Sequence, residues 1–223
     1  MAHWLITENR KGINSCQLAR ELGVTQKTAW FMLGRLREVA AAMSATSGTL
    51  SGTVEADETY IGGKEKNKHS NKKLRHGRGA VGKQAVLGVV ERGGKIKTSL
   101  TENVKQEDLR KFVERFVSPG SNFYTDDFGG YIGLNNYKHE SVNHSGGECV
   151  RGDIHTNGIE SFWALFKRGY HGVFHKITKK HGHRYLAEFE MRWNMIRSLQ
   201  GTRFDAMLES VAGLRLTYQK LIA

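Results

Sequence analysis

The chain has 223 residues, enough for one mid-sized domain plus a small appendage. Apolar residues make up 39% and charged residues 25%, so a sizeable core can be built and global disorder is excluded. Lysine and arginine number 34 against 22 acids, a net charge of +12, and this clustered excess points to a polyanionic partner, most simply nucleic acid.

Residues 12–42 hold two runs of apolar positions at helical spacing: Leu18, Ala19 and Leu22, then Ala29, Trp30, Leu33, Leu36 and Val39. Gly23 separates them, and Thr25 is placed to cap the second helix. Helix, glycine turn and helix form the helix-turn-helix pattern. In that motif the second helix enters the major groove, so Gln26, Lys27 and Thr28 are expected to reach bases or phosphates. The plainer alternative is a helical hairpin that only packs on the main domain. Residues 43–52 are mostly small and polar and read as a linker.

Residues 53–61, TVEADETYI, are predicted to form a strand. Alternation puts Glu55 and Asp57 on one face and Ala56 and Glu58 on the other. Acids inside a strand are unusual, because a buried carboxylate needs a partner. Residues 62–83 then carry eight lysines or arginines against one acid, Glu65, and read as a basic loop that includes Lys64, Lys66, Lys68, Lys72 and Lys73. Residues 83–91 and 95–101 are predicted as two strands joined at Gly93–Gly94. Helical spacing over 106–117 stops before Pro119, the single proline. Residues 122–125, NFYT, form a short strand leading into Asp126 and Asp127. A short helix near 131–134 and a short strand near 137–142 follow. Residues 155–170 are helical, with Ile159, Phe162, Trp163 and Phe166 as the apolar stripe. Two more helices are expected over 184–199 and 203–222.

This order, a three-strand antiparallel start and then strands alternating with helices, is that of an α/β, RNase H-like core: a mixed five-stranded sheet with flanking helices, preceded by a small helix-turn-helix. The expected division is 1–45 for the helix-turn-helix region and 46–223 for the core, its basic loop and the C-terminal helices. Cys16 and Cys149 cannot make a disulfide framework or a four-cysteine zinc site, so a reduced cytoplasmic setting is expected, nucleoid-associated through the nucleic-acid partner. The N-terminus lacks a signal-peptide core, and no apolar run approaches the roughly 20 residues of a membrane span. No membrane partner is expected.

Three acids stand where such a core could use them: Asp57 in the first strand, Asp126 at the end of a later one, and Glu160 on a helix. Hard carboxylate oxygens suit Mg²⁺. Two metal ions roughly 4 Å apart stabilise both the attacking and the leaving oxygen of a phosphoryl displacement. Three carboxylates so close would repel without a cation.

The local contexts are more specific than the acids alone. V-E-A-D-E-T-Y-I-G-G at 54–63, Y-T-D at 124–126, H-T-N-G-I-E-S-F-W-A-L-F-K-R-G at 155–169 and E-F-E-M-R-W-N at 188–194 occur in this order. Together with the helix-turn-helix segment at 17–37, they resemble the bacterial DDE transposases of the insertion-sequence-1595 family, which carry an ISXO-like transposase domain. The resemblance spans essentially the whole chain. It implies DNA cleavage and strand transfer at terminal inverted repeats, double-stranded DNA as partner, a homo-oligomer on that DNA, and two Mg²⁺ ions with Mn²⁺ able to substitute. By motif match, Asp57, Asp126 and Glu160 carry over as metal ligands. Lys167 matches a basic residue two turns after the glutamate, about 10 Å along the same helix face. The sequence departs from many relatives in lacking a cysteine-rich zinc ribbon before the helix-turn-helix. Some relatives replace the glutamate by asparagine; with both Asn157 and Glu160 present, this chain is read as the glutamate form.

The interval 164–185 holds six lysines or arginines, Arg168 among them, and no acid. It reads as a track for the DNA backbone. His171 and His175 are spaced four apart, but no cysteine or acid stands near them in sequence to complete a zinc site. Two other readings stay open: a non-catalytic helix-turn-helix regulator, and an RNase H-like nuclease without strand transfer. The neighbouring acids Glu55, Glu58 and Asp127 are expected to tolerate amide substitution better than the trio.

Overall fold

The computed structural model describes residues 1–63, 67–74, 82–143, 146–148 and 150–222. Lys64 and Lys66 lie outside them, as does Cys149. The chain divides into two compact units: Thr49–Trp163 with Lys176–Lys179, and Met1–Gly48 with Ala164–His175 and Lys180–Ala223.

The first of these is built on five strands: β1 (Thr53–Ile61), β2 (Gln84–Glu91), β3 (Ile96–Thr101), β4 (Asn122–Thr125) and β5 (Lys138–Ser141). Their order is β3-β2-β1-β4-β5. Only β2 runs against its neighbours; β1, β4 and β5 are parallel. This mixed order, with a crossover helix between β3 and β4, is the RNase H-like arrangement expected from the sequence. β2 is buried along almost its whole length, as a strand covered on both faces must be. Its Leu87 and Val89, with Val54 and Ala56 of β1 and Phe123 of β4, form one core with Leu109, Phe112 and Val113 of α4 (Gln106–Phe116). The opposite face receives α5 (Asn157–Gly169). A Cβ added at Gly88 would lie 2.6 Å from Trp163 and 2.9 Å from Ile159, so only glycine lets this helix come so close to β2. The helix expected near 131–134 is a single 3₁₀ turn at Gly129–Tyr131.

The other unit is helical: α1 (Ala2–Glu8), α2 (Ser15–Leu22), α3 (Gln26–Ala45), α6 (Lys179–Asn194), α7 (Gln200–Glu209) and α8 (Tyr218–Ile222). Asn14 caps α2, accepting a bond from the Gln17 amide, and Gly23 closes it in the left-handed region at φ 65°. Thr25 caps α3 by accepting from the Thr28 amide, as predicted. α3 runs into the segment read as a linker, because Ala and Ser at 41–45 carry no breaker. The two C-terminal helices expected are three, divided after Asn194 and again after Glu209. Ile6, Ile13, Leu18, Leu33, Val39, Met191 and Met207 form the core. A buried ion triad sits among them: Glu188 receives bonds from Arg37, at 2.5 Å, and from Arg192, whose Nε also donates to the Ile6 carbonyl. These acid and basic residues of E-F-E-M-R-W-N thus bind α3, α6 and α1 together. Among the described residues no helix is long and apolar enough to cross a membrane.

Candidate active site

The parallel pairing of β1 and β4 runs from Thr53 opposite Asn122 to Glu55 opposite Tyr124. Two residues further along each chain stand Asp57 and Asp126. The pairing stops short of both aspartates, but both lie close enough to Glu58 for their charges to act on its carboxyl. Asp57 pairs with Gly88 across β2, on the face that α5 covers. Asp126 leaves the strand in a turn, its Oδ1 accepting from the Phe128 amide at 3.1 Å.

Glu58 reports the local field. Its carboxyl is pushed up to about 7, first by burial and then by the negative charges of Asp57 and Asp126; its contact with the Tyr131 hydroxyl, 3.3 Å away, works in the opposite direction. Burial first, and then the negative charges of Glu58, Asp57 and Asp126, push the Tyr131 hydroxyl well up. Mutual repulsion of this kind is what a cation relieves.

Glu160 lies in the first turn of α5 and is exposed. The Thr156 hydroxyl donates to its Oε1 at 3.0 Å, and its amide donates to the Thr156 carbonyl at 3.1 Å. Ile159 beside it packs at Gly88, the cross-strand partner of Asp57. The turn bearing Glu160 is therefore seated on the sheet next to the strand position of Asp57. Among the described residues, however, no three His, Cys, Asp or Glu side chains are gathered closely enough to hold a metal ion. Asp57 and Asp126 share Glu58 as a neighbour, and the structure does not gather Asp57, Asp126 and Glu160 into one ligand set. The donor chemistry of the two aspartates, oxygen only, fits a hard divalent cation.

The other sequence-derived residues fall as follows. Lys167 and Arg168 are exposed in the last turn of α5. Gln26, Lys27 and Thr28 are exposed at the start of α3. Gln26 donates to the Ser15 hydroxyl, Lys27 lies over the Tyr218 ring, and the Thr28 hydroxyl meets that of Thr25. Lys72 ends a 3₁₀ turn and is exposed, as is Lys73, while Lys68 is half-buried. Asp127 is exposed.

Glu55 is the residue whose role the sequence conceals. It is 1% exposed and accepts bonds from the Gly158 and Ile159 amides and from Arg92. A buried acid in a strand signals a partner, but nothing in the sequence says that the partner is a helix start 103 residues away, and a carboxylate bonded in this way does not fit the tolerance of amide substitution expected of Glu55.

The family model described as ISXO2-like transposase domain matches residues 49–194, which include every strand and α4 through α6. The chain belongs to this family. Asp57, Asp126, Glu160 and Lys167 lie inside the matched span; Gln26, Lys27 and Thr28 lie before it. A Halobacterium salinarum protein, named as an uncharacterised protein in transposable element ISH50, is 28% identical over 206 residues, covering 87% of this chain and 69% of its own. A transposase-like protein of Haemophilus influenzae is 33% identical over 102 residues, covering 45% of this chain and 81% of its own. Among solved structures, the Mos1 Strand Transfer Complex is similar at 13% identity and a TM-score of 0.39, covering 96% of this chain and 78% of that one.

Proposed function

We propose that this transposase binds the ends of an insertion sequence and cuts and joins DNA by metal-dependent phosphoryl transfer. The observation that carries the reading is that Asp57 of β1 and Asp126, which directly follows the neighbouring parallel strand β4, both lie close enough to Glu58 to act on its carboxyl, within the span of the family match. Asp57 and Asp126 would hold Mg²⁺ or Mn²⁺, with Glu160 as the third carboxylate and a two-ion site as the full complement. When bound, the metal supplies a nucleophile at neutral pH and charge stabilisation at the reacting phosphate. The chain's own part is to hold the oxygens. The pairing of β1 with β2 holds Asp57 in the sheet, the turn after β4 orients Asp126, and Thr156 orients Glu160.

Lys167, one helix turn pair beyond Glu160, would contact a phosphate. Gln26, Lys27 and Thr28 would read the inverted repeat, and Lys64, Lys66, Lys68, Lys72, Lys73 and Arg168 would hold the backbone of double-stranded DNA. Pairing two element ends calls for a homo-oligomer on DNA and places the protein in the cytoplasm at the nucleoid.

The test is incubation with Mg²⁺ or Mn²⁺ and DNA carrying the flanking element ends, followed by mapping of nicks and joints. Asp57→Asn, Asp126→Asn and Glu160→Gln should each abolish both products while DNA binding persists, because ligand charge is lost and the basic surface stays. An active variant removes that residue from the ligand set. Nicks without joints would favour the nuclease reading, and binding without either product the regulator.

A further inference from the structure

We propose that Glu55 is a positioning residue that clasps the start of α5 to β1 and so sets where Glu160 stands relative to the aspartate pair. The proposal rests on the reading of Glu160 as the third catalytic carboxylate. A helix begins with amides that no intrahelical carbonyl satisfies, and the residue just before it usually supplies the acceptor. Here that residue is Thr156, and its hydroxyl is turned instead to Glu160, 3.0 Å away. The cap comes from another strand. Glu55 Oε2 accepts from the Gly158 amide at 2.7 Å and from the Ile159 amide at 3.2 Å. Its Oε1 accepts from Arg92 Nε at 2.9 Å and lies 3.4 Å from His155 Nδ1. Arg92 also donates to the His155 carbonyl at 3.2 Å, which ties the segment before the helix to the same point.

The charge suits its place, since a carboxylate at a helix N-terminus meets the positive end of the helix dipole. Glu55 stands two residues before Asp57 on the same face of β1. Glu160 stands two residues after Gly158. One side chain therefore links the strand that carries the first ligand to the helix turn that carries the third.

Gly158 is the matching half of the clasp. A Cβ there would sit 2.8 Å from Glu55 Oε2, closer than real contacts allow. Any other residue would push the carboxylate off the amides. The order Asn157-Gly158-Ile159-Glu160 thus combines a small residue for the clasp with the acid one step beyond.

The experiment compares Glu55→Gln, Gly158→Ala and Glu160→Gln in the full chain. Nicking rate, DNA affinity, Mn²⁺ binding by calorimetry and amide exchange are measured for each. Glutamine keeps the shape of Glu55 but loses the charge shared by Arg92 and the amides. Alanine at 158 raises helix propensity, so a loss there cannot come from a weaker helix. Both variants should lower the nicking rate by about tenfold or more, with DNA affinity held within about twofold, the pattern of an effect on the chemical step. Both should weaken Mn²⁺ binding and speed exchange of the 158 and 159 amides while β2 stays protected. Wild-type nicking by Glu55→Gln beside an inactive Glu160→Gln overturns the proposal alone. Normal nicking by Glu160→Gln overturns the reading of the site, and the proposal with it. If β2 loses protection in step with the helix start, Glu55 serves only the fold and the proposal is wrong. Should Glu55→Gln fail to fold, Gly158→Ala decides by the same readouts.

Discussion

Single carboxylates in this chain do different work according to what surrounds them. Glu188 is fully buried, and burial opposes its charge more than any one neighbour favours it. Arg192 and Arg37 together outweigh that penalty and hold the carboxyl below the ordinary glutamate value of 4.5. A depressed folded pKa adds stability that is complete above the unfolded value and is lost as pH falls through the folded one. Glu188→Gln strands two guanidiniums in the core, so it should lower the unfolding free energy by about 3–5 kcal/mol at pH 7. Urea titration measures this. Below pH 4.5 the difference between variant and wild type should shrink as the wild-type carboxylate is neutralised. A constant difference down to pH 2 would show that packing, not charge, carries the effect. Thr156 offers a subtler test. Thr156→Val keeps the shape and removes the hydroxyl that orients Glu160. Cleavage should fall by about tenfold, the worth of one such hydrogen bond, and Thr156→Ser should restore it.

At the scale of elements, strands and helices were legible where their own residues decide them. The ends of β1 and β4 follow from β-branched and aromatic runs bounded by glycine and acids, and their observed bounds match the reading. α2 and α3 announce themselves through Gly23 and Thr25, while the Asn14 cap of α2 emerged only in the structure. α1 was not legible: its seven residues have no capping side chain, and it is held by packing rather than propensity. The family pattern singles out Asp57 and Asp126 in the sequence, and the structure places both near Glu58. The clasp at Glu55 was not legible, since long-range capping leaves no local signature. Gly88 shows how one residue sets an element's seat. Alanine there would place a methyl 2.6 Å from the Trp163 ring. Gly88→Ala should destabilise the protein by about 1–3 kcal/mol, the cost of overpacking, or push α5 away from β2. In the second case cleavage should fall further than stability does. Thermal unfolding beside nicking rates separates the two, and a change in neither would mean that the ring moves aside freely.

For the molecule as a whole, the proposed function divides the excess of twelve positive charges between reading DNA and holding it. Base contacts carry sequence information and phosphate contacts do not. Gln26 and Lys27 at the start of α3 are exposed and can be replaced without touching the Thr25–Thr28 cap. Gln26→Ala with Lys27→Ala should weaken binding to element ends more than to random DNA, and an equal loss on both would remove α3 from recognition. The basic stretch should behave in the opposite way. Lys68, Lys72 and Lys73 follow the strand of Asp57, and each phosphate that a lysine neutralises releases counterions. The slope of log affinity against log salt then steepens by about 0.9 per contact. Changing the three to glutamine should flatten the slope by on the order of one unit for each lysine that contacts phosphate, with the preference for element ends unchanged. An unchanged slope would place the backbone elsewhere, along the basic run that begins at Lys167 and Arg168. The same substitutions there would then have to flatten it.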